Sequence, residues 1–166
     1  MSIEIIPALM PKTLHDLREL MSKVRGISSL VQLDVMDGKF VPNRSWPYHT
    51  GGQYGDDFLE MIQNESEGMP FWDEIDFEAD LMISNPTIED VERWVMAGAK
   101  RIILHAGSVT DASAMKALID HIREVYPKEI NPVYTILDIF VALHTDTPIE
   151  YIKEFAEQID GENVLA

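Results

Sequence analysis

The sequence predicts an α/β protein built as an incomplete (β/α) barrel, with about five βα units and the start of a sixth strand. Short apolar runs alternate with amphipathic segments of helical period, which is typical of βαβ units around a parallel sheet. A closed eight-stranded barrel needs about 200 residues or more. The chain has 166 residues and ends inside the apolar segment ENVLA.

The elements follow in order along the chain. Thr13 can cap a helix over residues 14–25, and a second periodic segment runs from Ile88 to a stop at Gly98. Further helices are predicted at 57–64 and 112–125, and another is opened by Thr147-Pro148 and carries an apolar stripe to Ile159. Strands are predicted at residues 3–9, 30–36, 75–83, 101–105, 136–144 and 162–166.

Residues 44–73 interrupt this rhythm. They hold several aromatic residues among Gly, Pro and acidic residues, and only one short helical segment. Such a segment is either a lid or an insertion, and an insertion is the simpler reading. We therefore expect residues 1–166 to form a single partial barrel domain with an insertion at about 44–73.

The end of the chain leaves three explanations open. An open sheet of modest size, completion by another chain, and a truncated sequence would each account for a parallel sheet with unpaired edges. Because the chain stops within an apolar strand, we expect truncation.

The amino-acid composition excludes several classes of binding partner and of chemistry. With 13 basic and 29 acidic residues, the net charge is −16, so the chain would repel nucleic acid and anionic membrane surfaces. It has no cysteine, which excludes disulfides, thiolate catalysis and cysteine-ligated zinc. No signal peptide and no apolar span of about 18 residues is visible, so we expect a cytoplasmic protein. We expect no organic cofactor.

Strand alternation gathers polar side chains on one face of the sheet. Apolar residues of each strand should lie under the helices, and the alternate residues should face the barrel interior. The interior set near the carboxyl ends of the strands is Gln32, Asp34, Met36, Glu78, Asp80, Met82, His105 and His144. A buried carboxylate is costly unless it is paired, protonated or bound to metal. Asp34 and Asp80 at matching height on adjacent strands therefore indicate a site, whereas each histidine alone is weak support.

At this point the residues resemble a known family. Residues 33–43, LDVMDGKFVPN, closely resemble the strand-two signature of ribulose-phosphate 3-epimerases, His-x-Asp-Val-Met-Asp-Gly-x-Phe-Val-Pro-Asn. Weaker matches follow in the same order as in the family, at residues 7–10, 80–86, 97–105 and 142–148. The resemblance implies a TIM-type barrel and covers nearly the whole chain apart from residues 44–73.

The resemblance also implies a reaction. Family enzymes interconvert ribulose 5-phosphate and xylulose 5-phosphate, using two carboxylates on opposite faces of C3 and a divalent metal. By resemblance Asp34 is a catalytic carboxylate and a metal ligand. Met36 and Met82 would line the substrate pocket, although they suit a core equally well. His105 and His144 are further pocket candidates.

Departures from the family pattern change what is expected of the metal. Gln32 and Asp80 stand where the family has metal-binding histidines, and Ala8 replaces a strand-one serine. Gln32, Asp34 and Asp80 offer only oxygen ligands, which favour magnesium or manganese over zinc. The second catalytic aspartate and the phosphate-binding loops would follow the sixth strand, so we expect no turnover by this chain alone.

Three hypotheses stay open from the sequence. The first is an epimerase-family enzyme acting on a phosphorylated ketopentose, seen as an incomplete chain and able to form a homo-oligomer. The second is a non-catalytic relative or a fragment that serves as a binding module. The third is another sugar-phosphate barrel enzyme, such as a decarboxylase, that reuses Asp34.

Overall fold

The computed structural model describes residues 5–49, 52–64, 68–128 and 137–165. Its centre is a parallel sheet in which the strands lie side by side in chain order. The strands are β1 (Ala8–Leu9), β2 (Leu30–Met36), β3 (Asp76–Met82), β4 (Arg101–His105), β5 (Asp138–His144) and β6 (Gly161–Leu165). In the described part of the chain β1 and β6 do not pair, so the sheet is an open portion of a TIM-type barrel.

Four α-helices are described, all after a strand or within a connection between strands. They are α1 (Leu14–Val24), α2 (Asp56–Gln63), α3 (Ile88–Met96) and α4 (Ala112–Val125). The side chains of Thr13, Thr87 and Asp111 cap α1, α3 and α4 by accepting a backbone N–H of the first turn. These caps set where each helix begins after its strand and loop.

The predicted elements agree closely with the structure. The strands predicted at 30–36 and 101–105 and the helix predicted at 112–125 have those same bounds. The first strand is shorter than predicted, and residues 3 and 4 lie outside the described residues. Residue 136 of the predicted fifth strand and residue 166 of the sixth also lie outside them.

The segment after β5 differs from the helix predicted there. It forms a short 3₁₀ helix, Ile149–Ile152, followed by turns. Its backbone bonds join residues three apart, as in Tyr151 N–H to Pro148 and Phe155 N–H to Ile152. Ile152, Phe155 and Ile159 of the predicted apolar stripe are buried, whereas Ile149 and Ala156 are exposed, so the tighter turns keep only part of the stripe in the core.

Each strand has one face in the core and one face on the predicted barrel interior. The core-facing strand residues belong to one apolar cluster with the helices, namely Val31, Leu33, Val35, Phe77, Ala79, Leu81, Ile102, Leu104, Ile139, Val141 and Leu143. The predicted alternation is therefore confirmed, and Gln32, Asp34 and Asp80 fall on the opposite face.

Residues 44–49 and 52–64 pack against the barrel wall. Trp46 is buried and meets Phe58 edge-on at 5.3 Å between ring centroids, and Phe58 lies 4.8 Å from Trp94 of α3. The Trp46 indole N–H donates to Asp57 at 2.9 Å. The aromatic residues that stand out in this stretch thus form part of the core. Among the described helices, none is long and apolar enough to cross a bilayer.

Candidate functional site

The register between β2 and β3 sets the candidate site. Gln32 lies opposite Glu78, Asp34 opposite Asp80, and Met36 opposite Met82. Because partners across parallel strands project on the same face, Asp34 and Asp80 stand side by side at one height. The predicted juxtaposition of these two carboxylates is present in the structure.

Gln32 links the two carboxylates. Its amide nitrogen Nε2 donates to Asp34 Oδ1 at 2.8 Å and to Asp80 Oδ2 at 3.3 Å. Gln32 and Asp34 are two residues apart on one strand, so they share a face and project from successive levels. The amide therefore bridges neighbouring strands as well as neighbouring residues.

His105 completes the network from β4. Its Nε2 lies 2.6 Å from Asp80 Oδ1, and both side chains are 8% exposed. The Phe40 ring, from the loop after β2, lies 5.4 Å from the imidazole. Asp80 thus has one oxygen held by His105 and the other by Gln32, which fixes its orientation toward Asp34.

The environment makes Asp34 more basic than an exposed carboxylate. Burial raises its pKa above the ordinary value, and the negative charge of Asp80 adds to the rise. The hydrogen bond from Gln32 and the nearby His105 act in the opposite direction. A raised pKa is what a carboxylate needs to accept a proton near neutral pH.

The other predicted pocket residues fall into two groups. Met36 is buried and Met82 is half-buried, and the two are opposite one another just beyond the carboxylates. His144 ends β5 with a side chain that is 64% exposed, and its ring Nδ1 lies 3.6 Å from Asp146. The structure therefore brings Met36, Met82 and His105 around the carboxylate pair, and it places His144 at the rim facing solvent.

Glu78, the third acidic residue of the interior face, has a separate role one level below. It accepts from Arg101 at 2.5 Å, and Arg101 also lies 3.6 Å from Asp138. The guanidinium carbon of Arg101 stacks 4.0 Å from the Phe140 ring centroid. These ion pairs therefore lie directly below the carboxylate pair, toward the amino ends of the strands.

Two residues that sequence reasoning did not select hold the loop after β2. The buried Ser45 hydroxyl donates to the Asp34 carbonyl at 2.6 Å and accepts from the Met36 N–H at 2.9 Å. The Asp37 carboxylate accepts backbone N–H groups from Lys39, Phe40 and Ser84. Burial opposes ionisation of Asp37, but these three donors hold its pKa below the ordinary value. The Asp37 side chain therefore joins the loops after β2 and β3.

A cavity of about 540 Å³ lies beside this loop region. Its lining includes Asp37, Ser84, Tyr54 and Arg93, but none of the predicted site residues. The Tyr54 hydroxyl donates to Asp90 at 3.0 Å, and burial raises the Tyr54 pKa. Since none of the predicted site residues contributes to its lining, this cavity does not extend the carboxylate site.

The side chains of the site offer oxygen donors, which limits the metal ions that they could hold. Within the described ranges no three His, Cys, Asp or Glu side chains are grouped so as to hold a metal. Asp34 and Asp80 nevertheless offer hard oxygens on one level, and Gln32 would add a third oxygen if its amide turned over. This set fits Mg²⁺ or Mn²⁺ better than Zn²⁺.

This chain is similar to known ribulose-phosphate 3-epimerases. Ribulose-phosphate 3-epimerase of Chlamydia muridarum (strain MoPn / Nigg) is 29% identical over 133 residues, covering 80% of this chain and 46% of the relative. The enzyme of the same name from Chlamydia pneumoniae is 27% identical over 128 residues, covering 77% of this chain and 43% of the relative. The chain thus spans less than half the length of these curated relatives.

A sequence model of the ribulose-phosphate 3 epimerase family matches residues 4–166, which takes in every strand and helix described above. With that match over almost the entire chain, this protein belongs to the ribulose-phosphate 3-epimerase family.

Proposed function

We propose that this chain carries one catalytic half of an enzyme that interconverts ribulose 5-phosphate and xylulose 5-phosphate. The observation that carries the proposal is the pair formed by Asp34 and Asp80, bridged by Gln32 and anchored by His105. Family membership and relatives named ribulose-phosphate 3-epimerase support the reaction class.

In this proposal Asp34 moves the proton at C3 of the substrate. Its carboxylate removes the proton from one face of the carbon, leaving an enediolate, and epimerisation requires that a proton return from the other face. The raised pKa of Asp34 favours this transfer. The second carboxylate and the phosphate-binding loops are proposed, by resemblance, to come from the part of the barrel after β6.

Asp80, His105 and the two methionines would orient the reacting carbon. The hydrogen bond with His105 fixes the orientation of the Asp80 carboxylate. This carboxylate keeps the region beside Asp34 polar. Met36 and Met82 add an apolar surface just beyond the carboxylates, which would limit water access to the sugar carbons.

We also propose that Asp34, Asp80 and the amide oxygen of Gln32 hold a divalent cation, with Mg²⁺ or Mn²⁺ preferred. When bound, such a cation supplies positive charge that stabilises the developing negative charge on the substrate oxygens. The support is the hard-oxygen character of the three side chains. A cytoplasmic location and homo-oligomer formation remain predictions from the sequence.

The proton transfer is tested by exchange at C3 in deuterated water. We expect the protein to incorporate deuterium at C3 of ribulose 5-phosphate, because exchange needs the carboxylate that removes the proton but not the one that returns a proton to the other face. Asp34→Asn should slow the exchange by about 10² or more, since it removes the base without changing the shape of the side chain. Proton NMR of the C3 signal measures the rate.

Asp56→Asn is the matched control, because Asp56 lies in the first turn of α2, outside the carboxylate network. It should leave the exchange rate unchanged. Equal exchange by Asp34→Asn and the parent chain would contradict the role of Asp34. Binding of ribulose 5-phosphate with no exchange would instead favour a non-catalytic binding module.

A further inference from the structure

The amide of Gln32 lies where two negative charges face each other. Asp34 and Asp80 are directly opposite on adjacent strands, so repulsion between their two carboxylate groups has an energetic cost. A positive group between them would relieve that cost. In the structure the partial positive charge of the Gln32 Nε2 group meets both carboxylates, at 2.8 and 3.3 Å.

The orientation of this amide follows from electrostatics. An amide has one donor end and one acceptor end. Turning its oxygen toward two carboxylates would place three acceptors together without a proton or cation between them. The donor end therefore faces the carboxylates unless a cation is present, when the oxygen becomes the favourable end.

We propose that Gln32 substitutes for a cation in the metal-free site, holding Asp34 and Asp80 together and opposing divalent-cation binding until its amide turns over. The inference rests on the proposed function for the identity of the cation site. It goes further by making Gln32 the residue that sets how strongly that site binds a cation and how far its stability depends on one.

Two substitutions at Gln32 separate these roles. Gln32→Met keeps the length of the side chain and removes the N–H donor, so the carboxylates lose their bridge. Gln32→Glu removes the donor as well and adds a third carboxylate at the same position. Gln158→Met is the matched control, because Gln158 donates to Asp120, a single carboxylate already paired with Lys116 at 2.7 Å.

The first measurement is the melting temperature of the full chain after treatment with chelator. We expect Gln32→Met to melt about 5 °C below the parent chain, because two carboxylates, one half-buried and one buried, lose a hydrogen-bond donor. Gln32→Glu should melt lower still, and Gln158→Met should change by less than half as much. Unchanged melting of Gln32→Met would overturn the proposal.

The second measurement is calorimetric titration with Mn²⁺ and Mg²⁺, accompanied by melting curves. Gln32→Glu should bind Mn²⁺ about tenfold or more tightly than the parent chain and regain stability on binding. Asp34→Asn should bind less tightly than the parent. Equal affinity of Gln32→Glu and the parent chain would sink the proposal even if Gln32→Met is destabilised.

The role inferred for Gln32 can hold or fail independently of the proposed enzyme activity. If the parent chain binds no cation while Gln32→Glu does, the amide excludes the metal and the inference stands, but the proposed cation site of the parent chain fails. The melting and titration experiments contain no substrate, so an absence of exchange at C3 would leave their results unaffected.

Discussion

Ser45 is the side chain that fixes the strand segment carrying Asp34. Its hydroxyl donates to the Asp34 carbonyl and accepts from the Met36 N–H, and the Ser45 N–H donates to the Met36 carbonyl at 3.1 Å. The residue is 2% exposed, so water cannot replace these bonds. Ser45 therefore acts on the site through the backbone of β2.

Ser45→Ala should destabilise the protein by about 1–3 kcal/mol, because it leaves the buried Met36 N–H without a hydroxyl acceptor. Urea unfolding monitored by tryptophan fluorescence measures the free energy of unfolding. Ser22→Ala is the control, since the Ser22 hydroxyl donates to Glu19 on the exposed surface of α1. Equal stability of both variants would show that the Ser45 bonds contribute nothing net.

Asp160, which immediately precedes β6, connects that strand to β5 and α4 through its side chain. Its Oδ2 accepts from the Ile139 N–H of β5 at 2.8 Å and from the guanidinium of Arg123 on α4. Lys128 lies 3.4 Å from its other oxygen. Burial would raise the Asp160 pKa, but these partners together hold it below the ordinary value.

A lowered carboxylate pKa gives this contact a defined pH dependence. The stabilisation is fully present above the unfolded-state pKa of about 4, and it is lost as the pH falls through the folded-state pKa. Asp160→Asn should therefore cost about 2 kcal/mol near neutral pH and progressively less below about pH 4. Urea unfolding across that pH range measures both values.

Asp146→Asn provides the reference for that experiment, because the Asp146 side chain is 93% exposed. It should show no comparable loss at neutral pH. A cost for Asp160→Asn that stays constant with pH would mean that shape, and not charge, joins β5, β6 and α4.

Periodicity predicted the elements well because burial follows it directly. Apolar alternation in β2 and β3 located the core, and it put Gln32, Asp34 and Asp80 on one face. Ser45 and Asp37 were not predictable in this way. Their partners are backbone groups of neighbouring loops, and such contacts leave no periodic signal in the sequence.

The orientation of the Gln32 amide could not be predicted from the sequence either. The family resemblance implied three oxygen ligands, but the structure turns the nitrogen of Gln32 toward the carboxylates. The choice between the two ends depends on the charges that face the amide in three dimensions. The 3₁₀ helix Ile149–Ile152 is a similar case, because an apolar stripe alone does not fix the hydrogen-bond spacing.

The net charge of −16 is the property of the whole molecule that most affects its behaviour in solution. Like charges spread over one surface repel one another and destabilise the compact state. The ion pairs described on the surface are mostly exposed, and such pairs contribute little each. Screening should therefore relieve more repulsion than it removes attraction.

Raising NaCl from about 0.01 M to about 0.15 M, with chelator present, should raise the melting temperature, because the Debye length shortens from about 30 Å to about 8 Å. Tetramethylammonium chloride should give the same rise, since screening does not depend on the identity of the monovalent cation. Mg²⁺ is then added in place of NaCl, without chelator and at equal ionic strength. A further rise in melting temperature that is absent from Asp34→Asn would report binding of Mg²⁺ at the carboxylate site. A melting temperature that falls with NaCl would show that attractive pairs dominate the surface despite the net charge.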